Sequence, residues 1–257
     1  MAVELRQRDA QEFARRPQDL LELCADWRDF KRIRTHREQV ASNIRIKLKP
    51  REDRREPAEL SVDRAIDGAG RLALAMITTR RLTIRHSAEA DAGTEAAAFD
   101  PSIILSDWKA DERKALLERA LFGFASYGRV RFHHRSVAEN LAAERIQALR
   151  ARGMTARALK RLIFVETKGK TIVRPSMRPI AGWLALADGL AFEMLRDHEP
   201  GVLLNDGDPE SLTLAQRNQA LRAYVERYGQ GGWRGLRIPH IQVHRFASAE
   251  LSDEINR

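Results

Sequence analysis

The sequence holds one cysteine, Cys24, in the apolar run "LLELCADW". A lone thiol closes no internal disulfide, so a reducing, cytoplasmic setting is expected. Long hydrophobic runs are also missing. The nearest to one, Ala181 to Leu195, is interrupted by Asp188 and Glu193 and reads as a buried helix; a membrane span needs about 20 apolar residues. The first residues lack the apolar core of a secretory signal peptide. Aromatics make up only 6% of the chain. Trp27, Trp108 and Trp183 read as core or hinge residues, and Trp233, among glycines, reads as exposed. There is no Walker motif, no dinucleotide glycine fingerprint and no glycine-flanked nucleophilic serine. No cofactor is therefore expected. Nor is a metal site, because His240 and His244 could meet His133 or His134 but no cysteine or well-placed carboxylate joins them. "NDGDPE" at 205–210 carries only part of a calcium-loop pattern and reads as a turn.

What the chain does have is segregated charge. Its 257 residues carry a net charge of +9 and are 43% hydrophobic, enough for a sizeable core. Residues 129–178 contain 13 Lys/Arg against Glu139, Glu144 and Glu166, a net +10, so the rest of the chain sums to −1. A second basic run spans residues 28–49, with eight Lys/Arg against Asp29 and Glu38. Residues 89–112 and 188–210 compensate, each with seven carboxylates against one base. Arginine-rich composition by itself predicts acids interspersed with bases, as in "KPREDRREPAEL"; the middle segment lacks them. Such separation creates a directed field, and the commonest polyanion it would meet is nucleic acid.

Local patterns divide the chain. Residues 8–26 read as helical, with Asp9 as cap and Phe13, Leu20, Leu21 and Leu23 as apolar positions; "DWRDFKRIRTHREQV" continues that helix or forms another. Asn43 to Leu48 alternates like a strand, and the second half of Arg71 to Arg85 favours strand. Ser106 or Asp107 is expected to cap a helix reaching Ser126, with Leu116, Leu117, Ala120, Leu121 and Phe124 on one face. "RVRFH" reads as a short strand. Ser136 and Glu139 form a capping-box pattern for a helix to Arg152, ended by Gly153. Thr155 caps a short basic helix, "ARALKRL". In "IFVETKGKTIV", two β-branched runs flank Lys168-Gly169-Lys170 and predict a tight hairpin. Thr213 and Gln216 form another capping box. The expected organisation is a basic helical and strand region (1–88), an acidic linker (89–106), a central region (107–178) and a helical C-terminal region ending in a strand (179–257).

Helix, strand, helix, short helix, strand, turn, strand is the order of a winged helix-turn-helix. The fold class expected is thus α+β, helix-dominated, with a winged-helix-like central region. The short helix would present Arg157, Lys160 and Arg161; the wing would place Lys168 and Lys170 on phosphates, with Arg174 at its base. Arg129, Arg131 and Arg135 would hold the other side of the groove, and Arg28, Lys31, Arg32, Arg34 and Arg37 form the second basic run. The leading expectation is a non-enzymatic, DNA-binding protein of a plasmid, phage or defence system. A lysine-tipped hairpin can equally be a sheet edge protected against aggregation.

Two alternatives come from other residues. "YGQGGWRGLRIPHIQVHRF", residues 228–246, resembles the glycine-rich, arginine-bearing loop of the RNA-binding Cas6-like proteins that process CRISPR transcripts, without their ferredoxin-like strand order at the N-terminus. That resemblance implies an RNA-binding subunit or a metal-independent endoribonuclease. Its general acid, base and phosphate cation would come from His133, His134, His240, His244 and Arg234, or Arg28 and Arg32. The same loop also reads as a simple helix terminator. The spacing from Arg129 to His134 is similar to that of HEPN ribonucleases, though such spacing is frequent in arginine-rich chains. The last alternative is a scaffold subunit whose basic face meets an acidic protein.

Overall fold

In order along the chain, the N-terminal half forms α1 (Pro17–Phe30), α2 (His36–Lys47), α3 (Val62–Thr79), β1 (Ile84–Arg85), α4 (Pro101–Ile104), α5 (Ala110–Leu117), β2 (Phe122–Phe124) and β3 (Arg129–Phe132). Next come α6 (Arg135–Ala151), α7 (Ala156–Ile163), β4 (Phe164–Thr167), β5 (Lys170–Val173), α8 (Arg178–Ala185), α9 (Gly189–His198), α10 (Gly201–Asn205) and α11 (Leu214–Tyr228). This computed structural model describes residues 17–32, 34–50, 55–87, 98–125 and 127–228. The protein is helix-dominated with two small antiparallel sheets, an α+β architecture.

The centre is a helix pair made close by small side chains. Ala65, Ala69 and Ala73 of α3 and Ala138 and Ala142 of α6 are all buried, so the two helices approach with little between them. Helix α8, buried from Ile180 to Ala185, packs on α6 in turn. One hydrophobic cluster runs from Val40 to Tyr224 and includes Phe99 and Leu105, so residues of all four expected segments share a core.

Several local expectations give way to this packing. Asn43 to Leu48 is not a strand but the end of α2: Val40, Ile44 and Leu48 recur every fourth residue and are buried, while Ile46 is 61% exposed. A capping box starts that helix, Thr35 Oγ1 accepting from the Glu38 N–H (3.2 Å) and Glu38 Oε2 from the Thr35 N–H (2.9 Å). Strand in the 71–85 stretch is confined to β1, because α3 runs on to Thr79. The helix expected to reach Ser126 stops at Leu117. Phe122 to Phe124 instead pairs with β3 in the register Phe122↔Phe132 and Phe124↔Val130. His134, not Ser136, precedes the first turn of α6. The run from Ala181 to Leu195 is two helices, broken where Asp188 caps α9 by accepting from the Ala191 N–H at 3.0 Å. Asp9, Phe13, Trp233 and residues 89–97 of the acidic 89–106 stretch lie outside the described residues.

Other signals hold. Thr155 Oγ1 accepts from the Ala158 N–H at 3.2 Å, and Gly153 follows α6 with φ +102. Thr213 and Gln216 form the reciprocal cap of α11. Trp108 and Trp183 are buried, and Trp27 is half-buried. Asp208 of the 205–210 turn is buried, accepting from the Arg37 N–H at 3.0 Å and from Ser211 Oγ at 2.7 Å. Among the described residues no helix is long and apolar enough to cross a membrane.

Candidate nucleic-acid interface

The hairpin is a two-residue turn with positive φ at both central positions, Lys168 (51°) and Gly169 (72°). This primed geometry matches the right-handed twist of the strands and favours Asn-Gly. A lysine in the left-handed region costs about 1 kcal/mol, so the turn gains charge at some expense in stability. Burial falls steadily from base to tip. Phe164 and Val173 are buried, whereas Glu166, Thr167, Lys168 and Lys170 are exposed. The hairpin is therefore a finger projecting from an anchored base.

The anchor is polar as well as apolar. Glu199, at the end of α9, accepts from the Val173 N–H at 2.6 Å and from Arg178 Nη1. The Arg174 N–H donates to Ile163 O at 2.8 Å, tying the end of the hairpin to the end of α7. His198 stacks edge-on against Phe164, with ring centroids 5.5 Å apart. Burial, then the positive charge of Lys160, hold the His198 imidazole below its ordinary pKa, so it is neutral at pH 7.

Helix α7 turns Leu159 and Ile163 inward and leaves Arg157, Lys160 and Arg161 exposed. Between this face and the hairpin lies an open groove of about 500 Å3, where Arg157, Lys160, Arg161 and Arg174 face one carboxylate, Glu166. Phe164 and Val165 form part of its floor.

The rest of the charge is partly cancelled in space. Arg135 pairs with Glu139 (2.8 Å), Arg145 with Asp67 (2.8 Å), Arg150 with Asp188 (3.1 Å), and Arg178 with Glu199 and Asp206. Three of those acids belong to the 188–210 stretch, which is thus wired internally to the basic segment. Arg131, Arg152, Arg157, Lys160, Arg161, Lys168, Lys170 and Arg174 form no ion pair with a described carboxylate. Six of these eight belong to α7 and the hairpin or its base.

Other sequence candidates lie elsewhere. Arg129 is buried, Arg131 is exposed on the three-stranded sheet, and Arg135 opens α6. None of these three lines either of the grooves that α7 and the hairpin form. Of the second basic run, Arg28 bonds Asp29 at 2.7 Å and Arg32 bonds both oxygens of Glu38 at 3.0 Å. Lys31 and Arg37 are exposed and Arg34 is half-buried. His133 is exposed and His134 half-buried, their rings 5.3 Å apart at the start of α6. Arg234, His240 and His244 lie outside the described residues. No cluster of three or more His, Cys, Asp or Glu suited to a metal occurs among the described residues. Arg80, which ends α3 with φ 57, was not singled out by the sequence reading; the dibasic pair Arg80-Arg81 after "ITT" was the available signal.

Two carboxyls in the ion-pair network carry a pH signature. Burial, reinforced for Glu139 by Asp206 and for Asp206 by Glu199, pushes both pKa values above the ordinary carboxylate range, against the pull of Arg135 and Arg178. A carboxyl with a raised folded-state pKa binds its proton more readily when folded. Its stabilising effect is fully present below the unfolded pKa and is lost as pH rises through the folded pKa. Lowering the pH from 7.5 towards 5 should therefore raise Tm in the natural protein relative to a Glu139→Gln, Asp206→Asn variant. Parallel Tm profiles, measured by circular dichroism, would contradict this.

Compared with protein-family models, with curated proteins and with solved structures, the chain matches none.

Proposed function

We propose that this protein binds nucleic acid, with duplex DNA as the leading ligand, through the groove between α7 and the β4–β5 hairpin. The observation that carries this reading is the group of six basic side chains, without described ion-pair partners, gathered on one helix face and one projecting finger. Helix α7 has the place of a recognition helix and the hairpin that of a wing. Arg157, Lys160 and Arg161 would enter the major groove; Lys168, Lys170 and Arg174 would meet phosphates. The arrangement differs from the usual winged helix in one respect: β3 pairs with β1 and β2, so the hairpin stands alone as a two-stranded sheet.

A purely protective role for the hairpin lysines accounts for the tip but not for the cations on α7. Self-association through the acidic stretches is less favoured, because the carboxylates of 188–210 are largely committed to internal partners. Metal-independent RNA cleavage is less favoured, because no histidine lines the groove among the described residues.

The test is fluorescence anisotropy of a labelled duplex at several salt concentrations, with an RNA hairpin in parallel. Four to six phosphate contacts give a slope of log K against log salt of roughly −4 to −5. Weak binding with a shallow slope on both ligands would overturn the reading. Preference for the RNA hairpin would keep the groove but change its ligand.

A further inference from the structure

We infer that the binding groove does not end at the hairpin but passes under its base to Arg80, so that a phosphodiester backbone follows the base of the finger rather than its tip. The inference rests on the nucleic-acid reading above and revises one part of it: the phosphates assigned there to Lys168 and Lys170 run instead along Arg161, Arg174 and Arg80.

Behind the first groove lies a second, of about 460 Å3, lined by Arg80, Arg161, Val165, Arg174 and Ser176 among others. The two grooves share Arg161, Val165 and Arg174. Those two arginines therefore stand where the grooves meet, and the Arg174 side chain is held there, Nη2 reaching the Arg161 carbonyl at 3.4 Å. Cations thus continue from Arg157 and Lys160, through Arg161 and Arg174, to Arg80. Among the described residues, no carboxylate lines the second groove.

Arg80 ends α3, and the carbonyl end of a helix ordinarily repels an anion. Here that end is partly capped. The Ile77 and Met76 carbonyls accept from the Arg80 and Arg81 N–H groups, and the Thr78 and Thr79 hydroxyls donate to the Leu74 and Ala75 carbonyls. The Arg80 side chain has no ion pair among the described residues. Two grooves in tandem with repeated guanidinium groups suit a chain of phosphates better than one small anion. The chemistry that fits is a polynucleotide backbone, read by charge and not by sequence.

Anisotropy on one labelled duplex can separate the two paths. Arg80→Gly suits the left-handed backbone at this position better than arginine and removes the charge without straining the fold. It is expected to weaken binding roughly fivefold to tenfold at 0.1 M salt and to reduce the salt slope by about 1, the contribution of one phosphate contact. Lys168→Glu with Lys170→Glu is expected to cost no more than that, although it reverses two charges. Arg80→Gly binding like the natural protein, while the tip variant binds weakly, would place the backbone on the tip and overturn the inference. Failure of the natural protein to bind at all would instead remove the underlying reading, and this inference with it.

Discussion

Arg161→Glu combined with Arg174→Glu should weaken duplex binding by about a hundredfold or more at 0.1 M salt. Each lost phosphate contact removes a factor near eight from counterion release alone, and two introduced carboxylates add repulsion. The pair is the most damaging choice because both residues line both grooves, so no path for the backbone avoids them. The salt slope should fall by about 2 in magnitude. The fold should survive, since both side chains are exposed and neither carries an ion pair among the described residues. Arg131→Glu, on the three-stranded sheet and outside the lining of both grooves, serves as the control and should change affinity less than the double variant. A double variant within threefold of the natural protein, with an unchanged slope, would remove the groove from consideration.

Arg119→Met should cost about 3–5 kcal/mol of folding stability, the range seen when one partner of a buried ion pair is removed. Arg119 is fully buried. Its Nε and Nη2 donate to the two Glu56 oxygens at 3.0 and 2.8 Å, and its Nη1 and Nη2 also donate to the carbonyls of Leu48 and Leu60. One guanidinium thus fastens the end of α2 and the approach to α3 onto the turn after α5. Methionine fills much of the space but leaves a carboxylate and two carbonyls without their donor. Against a total stability of about 5–15 kcal/mol this is a large fraction, equivalent to a fall in Tm of roughly 6–20 °C for a chain of this size. Adding Glu56→Leu should recover part of the loss, because the stranded charge goes while the two carbonyls remain unpaired. A single variant within about 1 kcal/mol of the natural protein, by denaturant unfolding, would show that Arg119 is not the clamp its contacts describe.

These two arginine roles separate what charge does in this protein. Inside, arginine is structural: Arg119, Arg145, Arg150 and Arg178 bind carboxylates or carbonyls and hold helices in place. Outside, on α7 and the hairpin, the cations have no carboxylate partner among the described residues. A linear count of +10 across residues 129–178 cannot distinguish the two populations.

The features already legible in the sequence are those whose energetics are local. The hairpin needs only two β-branched runs and a glycine in the turn. The start of α7 needs only Thr155, and the start of α11 only Thr213 with Gln216. In each case the deciding hydrogen bond spans three residues or fewer, within the reach of a short window. The short basic helix was expected too; the structure leaves Arg157, Lys160 and Arg161 exposed and extends the helix to Ile163, a residue the local pattern places in the strand.

Tertiary structure decided the rest, because the deciding partner is distant in the chain. Ile44 and Ile46 alternate like a strand, yet Ile44 is buried within α2 and Ile46 is left in solvent. Phe122 to Phe124 looks like the end of a helix until Phe132 offers it a partner. Gly182 lies within α8. In the fold its Cα hydrogen faces the backbone of Asp206 and Gly207, and a Cβ there would lie 2.5 Å from the Asp206 carbonyl. That contact seats the acidic turn on α8, places Asp206 beside Arg178, and helps bring the 188–210 carboxylates onto the arginines they neutralise. Composition and local pattern thus determined a basic, mostly helical chain with a lysine-tipped finger. Only long-range packing decided which cations are used inside and which are left exposed.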